Sequence, residues 1–184
     1  AYTKIDKEVS PAPPAVANVR WFGNGSTRPA TAKPALWVCD MRRGFVVEMF
    51  LSPAGVEYGR RAIVPHPAHT AIVDLDNDQQ EELLVADLGS FLPEDHGKGQ
   101  VLWLRPQADG TGFNSVKLLG DIGRVTDIEA ADFDQDGDQD LYVANDFAPD
   151  HFFRNDGADG FTDITTVAGI DGMGFAMGAA WGDY

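Results

Sequence analysis

Between positions 132 and 140 the chain reads Asp-Phe-Asp-Gln-Asp-Gly-Asp-Gln-Asp, with carboxylates at Asp132, Asp134, Asp136, Asp138 and Asp140. Oxygen-bearing side chains at alternate positions of a short loop can curl around one hard cation. Gly137, sixth in the loop, permits the sharp turn, and the carbonyl of the seventh residue, Asp138, can add a ligand. The spacing matches the opening of an EF-hand Ca²⁺ loop. Here, however, Leu141-Tyr142-Val143-Ala144 follows, a β run and not a helix. Two carboxylates about 5 Å apart repel by about 3 kcal/mol at an effective dielectric near 20. A bound ion or bound protons must offset that repulsion. Regular one-in-two carboxylates with a glycine in sixth place favour Ca²⁺ over a merely solvated acidic turn.

A second loop, Asp74-Leu75-Asp76-Asn77-Asp78-Gln79-Gln80-Glu81-Glu82, repeats the pattern with carboxylates at positions 1, 3, 5 and 9. It departs twice: Gln79 replaces the glycine, and Glu82 replaces the final aspartate. Weaker Ca²⁺ binding is expected there. Trp21-Phe22-Gly23-Asn24-Gly25 stands where a first such loop would fall, so no metal is expected in that unit.

The elements that carry these loops are short apolar runs broken by turn residues, too short for typical helices. Leu36–Asp40, Leu83–Asp87 and Leu141–Asn145 align. Each precedes a second β run (Phe45–Phe50, Val101–Arg105, His151–Arg154), a Gly-containing turn, and a further run near Arg61–Val64, Val116–Leu119 and Phe161–Thr165. Opening strands lead into the loops at Thr70–Asp74 and Asp127–Asp132, and a third is expected at Gly178–Asp183. Four strands per unit of ~50 residues is the signature of a β-propeller blade. The expected fold is therefore all-β: blades of four antiparallel strands, about three blades plus one strand, as a partial or open propeller. The expected organisation is an extended Pro-rich leader over 1–15, blades at about 16–66, 67–122 and 123–174, and the start of a further blade at 175–184.

Composition narrows the function. The formal net charge is −15, which argues against nucleic acid and anionic membrane surfaces. Ten of the 29 acidic residues lie in the windows 74–82 and 132–140, so much of the acidity is local. With one cysteine, Cys39, no internal disulfide can form; it reads as a buried small hydrophobe. No stretch approaches the ~20 apolar residues of a membrane span. No signal peptide is evident, and the start at Ala1 fits a processed or partial chain.

The loops and their framing strands resemble the FG-GAP/VCBS repeat family, the integrin-α-like propeller blades, over roughly residues 16–184. The resemblance is strongest from Asp132 through Asn145. Phe152–Thr165 and Gly178–Tyr184 are also similar to the repeats of secreted ASPIC/UnbV-type proteins. The resemblance implies Ca²⁺ in the loops between the first two strands of each blade, and export from the cytoplasm to the periplasm or beyond. On matching positions, Asp132, Asp134, Asp136 and Asp140 become side-chain ligands and Asp138 a backbone ligand. In the other loop Asp74, Asp76, Asp78 and Glu82 take the side-chain roles, with Gln80 offering its carbonyl. Asp183 would open a further loop.

Other groups read more plainly. His66 and His69, three apart, are flanked by prolines and expected in a loop between blades. His96 lies with Glu94 and Asp95 in the long connection 90–99, a plausible contact surface. His151 and Asp150 are expected at a strand edge, and Arg42-Arg43 in a salt bridge. Trp21, Trp37, Trp103 and Trp181 read as core packing. With no catalytic constellation in the sequence, the expected function is a non-enzymatic Ca²⁺-binding propeller module. It would act as an interaction or structural subunit of an extracytoplasmic assembly, with another protein subunit as partner and no direct membrane insertion. A carbohydrate-binding, lectin-like propeller and a non-catalytic fragment of a larger secreted enzyme are the alternatives.

Overall fold

The computed structural model describes residues 35–182. The fold is all-β: the described residues form twelve strands in three antiparallel sheets, none of them closed into a barrel. The leader at 1–15, the segment around Trp21–Gly25 and Asp183 lie outside the described residues.

The first sheet orders β1 (Ala35–Asp40), β2 (Phe45–Ser52) and β3 (Gly55–Ile63) as a meander. The second has four strands in sequence order: β4 (Pro67–Val73), β5 (Glu82–Asp87), β6 (Gly99–Pro106) and β7 (Phe113–Ile122). In the third, β8 (Arg124–Ala131), β9 (Asp140–Pro149), β10 (His151–Asn155) and β11 (Phe161–Asp163) repeat the meander. The second sheet is thus a four-stranded blade as expected from the repeat, and the third is such a blade with a fifth strand added at the end of β9.

Alternation within the strands explains the stacking. In β5, Leu84 and Ala86 face the third sheet, packing with Ile128, Leu141 and Val143. Leu83 and Val85, pointing the other way, pack with Trp37, Cys39 and Val46 of the first. Successive side chains of a strand point to opposite faces, so β5 is buried along its whole length. Fully burying a leucine or valine contributes about 1.5–3 kcal/mol, and the middle blade gains this on both sides. Burial falls off outward: β4 is almost wholly buried, whereas β7 has no buried residue. Cys39 is buried and unpaired as expected, and burial pushes its thiol up to about 12.

Two expectations are corrected. Residues 176–182 form no strand; instead β12 (Met173–Phe175) pairs with the end of β9. Strand backbone must find partners for its N–H and C=O groups. Here Ala176 N–H reaches Asn145 O (3.1 Å) and Ala179 N–H reaches Asp127 Oδ2 (2.9 Å), so the segment lies along the third sheet. The last run of that sheet also stops at Asp163, because Thr165 begins a short helix, α1 (Thr165–Ala168). Among the described residues no helix is long and apolar enough to cross a membrane.

Candidate metal-binding loops

Both acidic segments connect the first two strands of a blade: 74–81 between β4 and β5, and 132–139 between β8 and β9. The final carboxylate of each pattern is the first residue of the next strand. Glu82 and Asp140 are therefore buried, at 3% and 1% exposure, while the middle of each loop, 76–80 and 133–137, is exposed. Each buried carboxylate closes its loop by accepting the N–H of position 2: Leu75 to Glu82 (3.0 Å) and Phe133 to Asp140 (2.9 Å).

The two loops share a backbone. Positions 4 and 6 are left-handed in both: φ is 55° at Asn77 and 65° at Gln135, then 68° at Gln79 and 102° at Gly137. The position 6 N–H reaches the first aspartate in each, Gln79 to Asp74 Oδ2 (2.9 Å) and Gly137 to Asp132 Oδ2 (3.2 Å). The position 7 N–H reaches the position 5 carboxylate, Gln80 to Asp78 (2.8 Å) and Asp138 to Asp136 (2.9 Å). Gln79 thus adopts the conformation the glycine was expected to permit, at a cost of about 1–2 kcal/mol for a side-chain-bearing residue.

Carboxylate oxygens of Asp74, Asp76, Asp78 and Glu82 come within 4.8 Å of one another, as do those of Asp132, Asp134 and Asp136. Asp140 stays outside that second group. It is one methylene shorter than Glu82, and its other oxygen takes the N–H of Asn155 (2.9 Å). At the matching place in the second blade is Pro106, which has no N–H to offer. Gln80 turns its side-chain amide onto Asp78 Oδ2 (3.1 Å). The Asp138 carboxylate accepts from Asn77 Nδ2 (2.8 Å), which also reaches Gly137 O (3.3 Å), so neighbouring loops touch.

Crowded carboxylates resist ionisation. Burial holds Glu82 above the usual carboxyl range, and the charges of Asp76 and Asp78 add to it against the Leu75 N–H. Asp134 is also raised, by desolvation within the loop and then by Asp136 and Asp140, with the Asp136 N–H and Arg154 opposing.

An arginine stands beside each loop. Arg105 follows Leu104, the ladder partner of Leu83; Arg154 follows Phe153, the partner of Leu141. Arg105 Nη2 contacts Asp76 Oδ2 at 2.6 Å, and its guanidinium lies 4.6 Å from the Trp103 ring centroid. Arg154 instead donates Nε to Asp156 Oδ1 at 2.7 Å.

The remaining candidates resolve differently. His69 was expected in a loop; it lies within β4, because Pro67 begins that strand and needs no N–H there. Its Nδ1 is 2.7 Å from Asp127 Oδ1, joining the innermost strands of two blades. Burial disfavours charge on Asp127, but His69 and the Ala179 N–H outweigh it and hold the carboxyl below its ordinary value. Glu129 has an oxygen within 4.8 Å of this pair. Sequence reading missed the pair, although both residues stand five positions before their loop's first aspartate. A bulge at the same point of each blade, 67/69 and 125/127, aims them.

His66 lies 3.8 Å from Asp87 and packs edge-on to Phe91. His96 Nδ1 accepts the Lys98 N–H, within the connection between β5 and β6. His151 opens β10 but pairs with Asp163 (3.3 Å), while Asp150 takes the Tyr142 hydroxyl (2.8 Å). Arg43 forms the expected ion pair, with Asp40 at 3.9 Å. Trp37 is buried as expected, whereas Trp181 is 39% exposed beside Tyr142 and Phe152.

The model of the FG-GAP-like repeat matches residues 74–143 and again 132–184. The two matches begin at the first aspartate of the two loops. No curated protein matches the chain.

Proposed function

Because the chain belongs to the FG-GAP-like repeat family, we propose that it is a non-enzymatic, Ca²⁺-binding propeller module of an extracytoplasmic assembly, with its surface offered to another protein subunit. The observation that carries this is the pair of acidic loops with one backbone, set at the same corner of adjacent blades. The donor set fits a hard cation: every side chain is a carboxylate, and the oxygens converge. Asp74, Asp76, Asp78 and Glu82 would hold one ion, with Gln80 giving its carbonyl. Asp132, Asp134 and Asp136 would hold the other, with Asp138 by its carbonyl and Asp140 on a small side-chain shift. The ion's contribution is neutralisation: its charge offsets the desolvation and, after it, the mutual repulsion that raise Glu82 and Asp134, and so stiffens the blade corner.

The open arrangement of sheets among the described residues supports the partner reading, since strand edges left unpaired there invite another chain. A native mass spectrum of the protein as isolated tests both parts. Two bound Ca²⁺ per chain and a companion subunit are expected. A lone, metal-free chain in millimolar Ca²⁺ would refute the reading.

One observation favours a second reading, carbohydrate binding. A cleft of about 250 Å³ is lined by Glu129, Tyr142, Asp150 and Trp181, aromatic and carboxylate groups of the kind that hold a sugar. Binding on a glycan array that is lost in Trp181→Ala would establish it; no binding at high Ca²⁺ would remove it.

A further inference from the structure

The equivalent arginines beside the two loops have different partners. Arg105 reaches into its loop and holds the position 3 carboxylate, Asp76, at 2.6 Å. Arg154 is drawn away from its loop by Asp156 at 2.7 Å, and Asp156 is itself anchored by the Thr162 hydroxyl. The strand register explains the contrast. Two residues after Arg154 comes Asp156; two residues after Arg105 comes Gln107. Gln107 is neutral and already engaged with Phe113 O and Asn114 Oδ1, both at 3.3 Å. It has no charge with which to hold a guanidinium, so Arg105 takes the nearest carboxylate, which belongs to the loop. Arg154 remains close enough for its charge to be felt at Asp134 and Asp140. Without Asp156, those carboxylates would be its partners.

We propose that Arg105 is a built-in competitor for the cation of loop 74–82, and that Asp156 is a positioning residue that keeps Arg154 from competing at loop 132–140. A guanidinium on Asp76 occupies one oxygen-donor side chain and places a positive charge beside the site. A divalent ion must displace it before that carboxylate can bind. The residue two places after the arginine, Gln107 or Asp156, thereby sets the affinity ranking of the two loops. This rests on the Ca²⁺ reading given above.

Calcium titration calorimetry on the 184-residue chain tests it, with one loop silenced at a time. In an Asp134→Asn background, Arg105→Gln tightens the remaining site by about fivefold, the upper range for a partly exposed ion pair. Gln107→Asp, which draws Arg105 away, tightens it similarly. The Arg105→Gln/Gln107→Asp double variant gains nothing beyond Arg105→Gln, because both changes act on one contact. In an Asp76→Asn background, Asp156→Gln weakens the remaining site by about fivefold, and adding Arg154→Gln restores it. Ca²⁺ binding by the unaltered chain with affinities unmoved by Arg105→Gln and Asp156→Gln overturns this proposal alone. Additive effects of Arg105→Gln and Gln107→Asp overturn it too, since they would report bulk charge. No Ca²⁺ binding by the unaltered chain overturns the calcium reading as well.

Discussion

Loop 132–140 has the more regular sequence, yet loop 74–82 brings more carboxylates together. The first groups three side chains and leaves Asp140 tied to Phe133 and Asn155; the second groups four. The loop with four also has an arginine on one of them, while the other keeps its arginine on Asp156. Backbone shape is common to both, down to the left-handed residues at positions 4 and 6. A ligand pattern in sequence thus specifies a loop's path, but the strands flanking it specify how many of its charges are available.

Removing the cation should have the largest effect. A ligand at a hundredfold excess over its Kd stabilises the folded state by about 2.7 kcal/mol per site. Urea melts in millimolar Ca²⁺ and in chelator should therefore separate clearly. Asp132→Asn and Asp74→Asn should each remove part of the gap, and the part removed by each compares the loops directly. Coincident melts would show that neither loop needs an ion.

Acidity should then act with opposite sign in the two conditions. Glu82 and Asp134 have raised pKa values in the ion-free fold. A raised carboxyl contributes stability that is full below its unfolded value near 4 and is lost as pH rises through the higher folded value. The contribution of these two groups to chelated protein should consequently grow on mild acidification, against the opposite contribution of lowered carboxyls such as Asp127. A bound cation lowers the folded values, so loaded protein should lose stability as pH falls through them. Urea midpoints between pH 4 and 7 with and without Ca²⁺ check this. Glu82→Gln should flatten the share of loop 74–82 and Asp134→Asn that of loop 132–140.

Exchanging the sixth residues tests the shared backbone. Gln79→Gly should stabilise the chelated protein by about 1 kcal/mol, since only glycine takes a positive φ at no steric cost. Gly137→Ala should cost about 1 kcal/mol. An added Cβ there meets nothing within 4 Å, so that cost is purely conformational. Equal midpoints would mean that the loops are too mobile to feel the torsion. The smallest effect belongs to the link between loops. Asn77→Ala removes the hydrogen bonds to Asp138 and Gly137, whose share of the loss, apart from the torsional cost of alanine at the left-handed φ of 55°, should be about 0.5–1 kcal/mol. A double-mutant cycle with Asp138→Ala, read by urea midpoint, should recover most of that as coupling.

Much of the architecture was legible in residues alone. Leu83-Leu84-Val85-Ala86 and Leu141-Tyr142-Val143-Ala144 announced buried strands, and both lie in them. The acidic loops fell between the strands predicted to frame them. Local patterns can do this because a strand's alternation and a turn's chemistry are properties of adjacent residues. His69 shows the limit. Its neighbouring prolines suggested a loop, but its role follows from Asp127, on another blade. The expected opening strand at Gly178–Asp183 shows it again: its small residues suggested an innermost strand, but over 176–182 the N–H groups of Ala176 and Ala179 bond to the third sheet.

The order of residues in the chain, then, dictated the four-stranded repeat, its family and the path of both acidic loops, all of which depend on contacts within a few positions. Folding in three dimensions assigned the charges. Arg105 and Asp76 lie 29 positions apart and meet only because β4, β5 and β6 run in register. Asp156 reaches Arg154 from the adjacent turn, which no strand pattern foretells. Coulomb attraction depends on separation in space, and for these groups that separation is set by the ladder between strands.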